Sequence, residues 1–227
     1  MNTATTNDPL KLGWRCVPFG EAALLIEAEG DQTMANRTVV ALADRISSAA
    51  PFGVTLVQPT LTSLLVRFDP LQTTHAAIER AARAHIDQLN VTDQELSRIV
   101  TIPVRYGGDA GPDLEEVARQ LNMTPEKVIV LHTAQPRRVL MLGFAPGFPY
   151  IGPLPPALTL PRRATPRTAV PAGSVAIAAG MTGVYPQRLP GGWHLLGRTD
   201  VVLFDPQRSP PSLLHAGDSV QFVVVNE

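Results

Sequence analysis

Basic residues without acidic neighbours are the part of the sequence that most directly suggests chemistry. Residues 127–199 contain no aspartate or glutamate, although the whole chain has a formal net charge of −1. This acid-free interval carries eight cationic side chains: Lys127, Arg137, Arg138, Arg162, Arg163, Arg167, Arg188 and Arg198. Because a guanidinium can hold a planar anion through two parallel hydrogen bonds, we expect the interval to bind a small ligand with a carboxylate or phosphate.

Three of these arginines, at positions 162, 163 and 167, are close together in the sequence. Such a cluster favours a site for a small anion or for a carboxylated cofactor. The alternative is that each arginine pairs with an acidic residue from elsewhere in the chain or covers the surface. Both interpretations remain open at this point.

Candidates for proton transfer in the interval are two histidines, His132 and His194. Histidine is the side chain that most often transfers protons near neutral pH. His132 also ends an amphipathic helical pattern, where a cation would be favoured by the helix dipole, so it is either catalytic or a C-terminal cap. For His194, which follows Trp193, packing is the favoured interpretation.

Several classes of protein are excluded by what the sequence lacks. Glycosidases need two facing carboxylates, and magnesium or calcium sites need several oxygen ligands, for which the acid-free interval offers no acidic residue. The chain contains no GxxxxGK[ST], GxSxG or HExxH motif. The helical pair expected over residues 113–132 has a net charge of −2, which argues against a DNA-binding helix-turn-helix.

Cellular location follows from equally simple observations. Cys16 is the only cysteine, which excludes an intrachain disulfide and a cysteine-based zinc site and fits a reducing compartment. The first ten residues are polar and turn-forming, unlike a secretion signal. We therefore expect a cytoplasmic protein, with neither a membrane nor nucleic acid as its partner.

The elements that must position these residues differ between the two halves of the chain. Residues 22–28, 54–58, 63–69 and 98–105 are predicted strands, and helices are predicted around residues 39–46 and over 74–89. A helical pair follows, with a capping box at Asp113 and Glu116 and a second helix start at Thr124. After His132, short strands are predicted at 175–178, 201–204 and 220–225, separated by glycine and proline turns.

This pattern predicts two domains. Most of the 22 prolines and 17 glycines lie after residue 100, which indicates a regular first part and a loop-rich second part. We predict an α+β domain over residues 1–98, with helices on one face of a small sheet. Residues 99–227 are predicted to begin with the helical pair and to continue as an all-β barrel or sandwich.

Long strings of residues resemble one known family. They are GFAPGFPY at 143–150, LPRRATPRTAVPAGS at 160–174 and TGVYPQRLPGGWHLLGRT at 182–199, preceded by IPVRYGG at 102–108. Two further strings, GEAALLIEAEG at 20–30 and SLLVRFDPLQT at 63–73, look like the amino-terminal domain of that family. In this order they resemble the family of the 5-oxoprolinase B subunit, also called allophanate hydrolase subunit 1 or the sporulation kinase inhibitor.

The resemblance implies a ferredoxin-like α+β domain followed by a cyclophilin-like β-barrel. It also implies an enzyme component that is active only with partners, namely the paralogous C subunit and the A subunit of the complex. Together these open 5-oxoproline to L-glutamate in an ATP-dependent reaction. The resemblance implies that the complex uses ATP and that this chain alone binds no cofactor and no metal.

Site residues are also implied by the resemblance. The substrate is a lactam with a carboxylate, for which Arg162, Arg163, Arg167 and Arg198 are candidate anchors, with His132 as the candidate catalytic residue. The GFAPGFPY turn would supply backbone N–H groups and aromatic walls from Phe144 and Phe148, or alternatively would shape a barrel corner. Tyr185, which precedes a proline, is a further candidate for substrate binding.

Two other functions remain open from the same resemblance. One is a protein that binds a sensor histidine kinase and inhibits it. The other is half of a carboxyltransferase site related to urea carboxylase, which would use carboxybiotin attached to another chain.

Overall fold

The computed structural model describes residues 12–89 and 98–225, and the chain divides into two compact units, Met1–Leu96 and Ser97–Glu227. The first unit is built on a four-stranded antiparallel sheet with strand order β1-β2-β4-β3. Its strands are β1 Gly13–Pro18, β2 Ala23–Glu29, β3 Val54–Pro59 and β4 Ser63–Phe68, and its helices are α1 Gln32–Ala49 and α2 His75–Ile86.

The core of the first unit lies between this sheet and the two helices. Leu24 and Ile26 of β2 alternate with less buried neighbours and pack in one cluster with Leu42 and Ile46 of α1. Both helices begin at side-chain caps, of which Thr74 at the start of α2 accepts a hydrogen bond from the Ala77 amide. The α+β class predicted for this half of the chain is confirmed.

The second unit contains a closed barrel with strand order β10-β7-β6-β13-β5-β12-β9. These strands are β5 Ile99–Tyr106, β6 Arg137–Leu142, β7 Pro149–Gly152, β9 Ser174–Ala178, β10 Met181–Val184, β12 His194–Arg198 and β13 Ser219–Val224. Strands β5 and β13 pair in parallel, and the remaining pairs are antiparallel. Strands β8 Arg167–Val170 and β11 Leu189–Gly191 form a separate two-stranded sheet. The predicted barrel is confirmed.

The helical pair is α3 Leu114–Gln120 and α4 Pro125–Thr133. Thr124 caps α4 as predicted, because its hydroxyl accepts a hydrogen bond from the Lys127 amide. Val117 of α3 and Val128 of α4 are fully buried in one apolar cluster with Leu196 of β12. This packing fixes the pair against the barrel wall.

The strand predicted at residues 201–204 is wrong. Only an isolated bridge between Phe204 and Ser212 forms there. The guanidinium of Arg208 donates to the carbonyl groups of Leu203 and Pro211, so the chain turns back on itself instead of continuing in a sheet. A short run of consecutive apolar residues was therefore not sufficient evidence for a strand at this position.

Within residues 12–89 and 98–225, no helix is long and apolar enough to cross a membrane. In the same residues, no group of three or more His, Cys, Asp or Glu side chains lies close enough together to hold a metal ion.

Candidate functional site

An open cavity of about 510 Å³ lies beside α3 in the second unit. One side is formed by α3, and the other by the segment 161–165, which carries Arg162 and Arg163 of the arginine cluster. The cavity is lined by Glu116, Gln120, Pro161, Arg162, Arg163, Ala164, Thr165 and His194. A volume of this size is typical of small-molecule sites.

Asp113 connects the arginine segment to the helical pair. Its Oδ1 accepts hydrogen bonds of 2.8 Å from Arg163 and from Arg167, and its Oδ2 accepts a second one of 2.8 Å from Arg167. Oδ2 also accepts a hydrogen bond of 2.8 Å from the backbone N–H of Leu195 in β12. We call Asp113, Arg163 and Arg167 the Asp113 cluster.

The charges of the Asp113 cluster stabilise one another. Burial by itself would raise the pKa of Asp113, but hydrogen bonds from Arg167 and the Leu195 amide, together with both guanidinium charges, lower it below its ordinary value. The hydrogen bond to Asp113 in turn raises the pKa of Arg167. Asp113 and Arg167 are therefore both charged at neutral pH.

A glycine lets Asp113 approach β12. A Cβ atom at Gly111 would overlap the carbonyl oxygen of Leu196, so only glycine allows the chain before α3 to lie this close to the strand. The Asp113 amide then donates to the Leu195 carbonyl at 3.1 Å. The capping box predicted for Asp113 does not form, since this side chain makes no capping hydrogen bond and binds arginines instead.

Arg162 differs from its two neighbours in the cluster of arginines. Its side chain is exposed and lines the cavity, and no carboxylate among the described residues lies within salt-bridge distance of it. The only carboxylate in the lining is Glu116, whose oxygens accept hydrogen bonds from Arg119 and Gln120. A ligand that enters the cavity therefore meets the guanidinium of Arg162, which no carboxylate among the described residues pairs with.

The other predicted binding residues lie outside the cavity lining. Arg198 is exposed and its Nε donates to the carbonyl of Ala172 at 3.2 Å. Phe148 and Tyr185 are buried in an aromatic cluster with their ring centroids 5.2 Å apart. Phe144 is 60% exposed at the turn and touches Phe148 edge to face. The structure thus places Arg162 and Arg163 in the cavity lining and joins Arg163 to Arg167 through Asp113. Of the other four, Tyr185 is close enough to Arg162 and Arg167 to feel their charges, although it does not line the cavity.

His132 lies in the interior of the second unit, where it is fully buried. Its Nδ1 is 2.7 Å from the Tyr106 hydroxyl, and its Nε2 is 2.9 Å from the Thr182 hydroxyl. Because Thr182 donates its hydrogen to the Ala176 carbonyl, Thr182 accepts from Nε2–H, and Tyr106 donates to Nδ1. We call Tyr106, His132 and Thr182 the His132 chain.

Burial, and to a lesser extent the charge of Arg137, lowers the pKa of His132 to about 3. The side chain is therefore neutral at physiological pH, and the expected role as a cationic cap of α4 is wrong. His132 does not line the cavity. The catalytic role expected for it would require a substrate to reach the barrel interior.

Sequence patterns did not identify Asp113, Glu116 and Gln120 as residues of the site. They also did not place His194 in the cavity lining. Asp113 and Glu116 were recognised only as a capping box, and the partners of Asp113 are 50 and 54 residues away in the chain. The available signal was charge balance, because a dense arginine cluster in an acid-free interval needs a carboxylate from a neighbouring element.

Known proteins resemble this chain over most of its length. The family described as carboxyltransferase domain, subdomain C and D, matches residues 14–214. The 5-oxoprolinase B subunit of Bacillus subtilis is 41% identical, and the match covers 92% of each chain. The 5-oxoprolinase B subunit of Escherichia coli O157:H7 is 42% identical over 94% of this chain and 97% of its own.

A solved structure is also similar to this chain. The crystal structure of TTHA0988 matches with a TM-score of 0.79 and 39% identity over 91% of this chain. This chain spans 40% of the length of that solved chain. On the strength of these matches, the chain belongs to the family of 5-oxoprolinase B subunits.

Proposed function

We propose that this chain is the B subunit of an ATP-dependent 5-oxoprolinase and binds 5-oxoproline in the cavity beside α3. The observation that carries the site assignment is Arg162, an exposed guanidinium in the cavity without a carboxylate partner among the described residues. Two relatives that carry the name of the 5-oxoprolinase B subunit, at 41% and 42% identity, support the activity.

The reaction adds water across the lactam C–N bond. The ring carbonyl carbon gains the hydroxyl, and the ring nitrogen gains a proton. The ring opens to a single product that has a second carboxylate and an amine. Arg162 would hold the carboxylate that 5-oxoproline already has, through charge-assisted hydrogen bonds. In this role it orients the ring without taking part in the bond changes.

The Asp113 cluster would limit the positive charge that the cavity offers to an anion, and so would make the cavity specific for a ligand that reaches Arg162. Asp113 neutralises part of the charge of Arg163 and Arg167, so the strongest open anion contact is at Arg162. A neutral lactam without a carboxylate would lack that contact. The cavity should therefore discriminate 5-oxoproline from 2-pyrrolidinone, which has the same ring.

We infer that ATP binds elsewhere than in this cavity. A triphosphate needs several free backbone N–H groups or cations, whereas the Arg163 amide is already bonded to the Gly192 carbonyl and Glu116 adds a negative charge to the lining. We therefore assign ATP binding to the partners of this chain, the A and C components of the complex. The carbonyl activation that ATP drives would take place with those partners.

The test is reconstitution. The chain is co-expressed with the A and C components, and phosphate release and glutamate formation from 5-oxoproline are measured for each component alone and for every combination. We expect both products only when all three are present. Full activity in the absence of this chain would refute the proposal.

Carboxyl transfer is the second candidate, favoured by the carboxyltransferase family match over residues 14–214. An arginine-lined cavity would also suit a substrate or product with a carboxylate. The same reconstituted complex, supplied with a biotinylated carrier, bicarbonate and ATP, distinguishes the two. Carbon dioxide fixation without glutamate formation would favour carboxyl transfer.

A further inference from the structure

Hydrogen bonds fix the backbone on both sides of Arg162. The carbonyl of Pro161 accepts a hydrogen bond of 3.0 Å from Nε2 of His194. The amide of Arg163 donates a hydrogen bond of 2.8 Å to the carbonyl of Gly192. Each peptide group is a rigid plane, so these two bonds hold the two planes that meet at the Cα atom of Arg162. The φ and ψ angles of Arg162 are thereby restricted.

Packing alone does not explain a histidine at position 194. It is 4% exposed, and its Nδ1 has no hydrogen-bond partner among the described residues. A buried polar atom without a partner destabilises the fold, whereas a leucine of similar size would fill the space without that cost. The feature that an apolar residue could not supply is the hydrogen bond from Nε2–H to Pro161.

We propose that His194 is a positioning residue, which holds the Pro161 carbonyl so that the side chain of Arg162 faces the cavity. This inference rests on the proposed function, in which Arg162 binds the substrate carboxylate. The Asp113 cluster holds the part of the segment that follows Arg162, because Asp113 accepts hydrogen bonds from the side chains of Arg163 and Arg167. His194 fixes the residue before Arg162, which the Asp113 cluster does not contact.

Loss of the His194 hydrogen bond would free the peptide plane between Pro161 and Arg162. Arg162 would then sample several orientations, and binding of the carboxylate would have to select one of them. We expect KM for 5-oxoproline to rise about tenfold with kcat changed less than twofold, because ground state and transition state lose the same contact.

The test compares H194L with H194Q in the reconstituted complex. Leucine removes the donor, whereas the side-chain amide of glutamine places an N–H group near the position of Nε2. We expect the rise in KM with H194L and its reversal with H194Q. In an R162A background, H194L should raise KM no further, since His194 acts through Arg162. Where R162A itself raises KM, a rise with H194L that is the same in both backgrounds, or no rise with H194L, would overturn the inference.

A measurement without substrate separates this inference from the proposed function. Hydrogen exchange of the Arg163 amide is followed by mass spectrometry in the isolated chain, with the melting temperature of each variant recorded beside it. Exchange at least tenfold faster in H194L and near wild type in H194Q supports the positioning role, whatever the substrate is. Wild-type exchange in H194L overturns it. If R162A leaves KM unchanged, the substrate assignment fails, and exchange alone decides whether His194 holds the segment.

Discussion

The Asp113 cluster and the His132 chain are two polar groups in the same unit, but the first is held by ion pairs and the second by neutral hydrogen bonds. Asp113 binds two guanidinium groups at the margin of an open cavity, where each arginine side chain keeps a quarter or more of its surface exposed. His132 lies entirely inside and uses neutral hydrogen bonds to Tyr106 and Thr182.

The difference shows how one acid-free interval can serve both stability and binding. Inside the barrel, none of the described carboxylates contributes to the pKa of His132, and the buried histidine is neutral at physiological pH. At the cavity, Asp113, a carboxylate from outside the interval, stabilises the charge of Arg167. Substitutions in the His132 chain should therefore change stability alone, whereas substitutions in the Asp113 cluster should also change ligand binding.

The largest effect is expected for H132L. The Tyr106 hydroxyl would lose its acceptor, and Thr182 would lose its donor, both in a buried setting. We expect a loss of about 3 kcal/mol in the free energy of unfolding. Urea denaturation of the isolated chain measures it, with Y106F as the milder variant. KM for 5-oxoproline in the folded complex should stay within twofold of wild type, and a large change would place His132 in the substrate site after all.

D113A should be the next most disruptive substitution. Arg163, Arg167 and the Leu195 amide would all lose their acceptor, at about 2 kcal/mol of stability. KM should rise about tenfold because the arginine segment loses its attachment to α3. Parallel urea denaturation and steady-state kinetics check both effects. A loss of stability with wild-type KM would show that the cluster is structural only.

Acid should destabilise the protein through His132 before it affects Asp113. The folded-state pKa of His132 is lowered from 6.5 to about 3, so between these values the unfolded state binds the extra proton and stability falls as pH falls. The slope is about 1.4 kcal/mol per pH unit for one proton. The pKa of Asp113 is lowered below 3.8, so its contribution is present above that value and is lost only as the pH falls through its folded-state pKa.

Urea midpoints of wild type and H132L between pH 7 and pH 4.5 give the comparison. The fall in stability should be markedly smaller in H132L than in wild type. D113N should retain the wild-type slope over this range. Equal slopes in wild type and H132L would contradict the buried, neutral state of the histidine.

The smallest effect is expected for R198A. Arg198 is exposed, and the hydrogen bond that its side chain makes within the described residues is to the Ala172 carbonyl. We expect a change in stability within about 0.5 kcal/mol and a KM within twofold of wild type. A tenfold rise in KM would show that the binding site extends beyond the cavity beside α3.

Local patterns in the sequence were sufficient to predict most of the elements. Alternation in β2 and β4, the apolar spacing of α1, and the Thr124 cap depend on residues near one another, and the structure has all of them. The arginine cluster, too, was visible as charge. Its grouping with Asp113 was not, because the contacts join α3, β12 and the segment 161–167 through barrel closure.

Residue type alone also could not separate the two histidines. His132 and His194 both lie in the acid-free interval, and nothing in their neighbours shows that one is enclosed and the other lines a cavity. Packing was favoured for His194 and proton transfer stayed open for His132. The three-dimensional arrangement instead indicates a structural role for the enclosed His132 and a positioning role for His194 at the cavity.

The central claim is that Arg162 is the contact for the substrate carboxylate, and KM for 5-oxoproline tests it most directly. R162A and R162K are compared in the reconstituted complex with R188A, which removes an exposed arginine of the same interval outside the cavity lining. Loss of a charge-assisted hydrogen bond predicts a rise in KM of about 10-fold to 100-fold for R162A, a partial effect for R162K and none for R188A. Equal KM values for R162A and R188A would contradict the account.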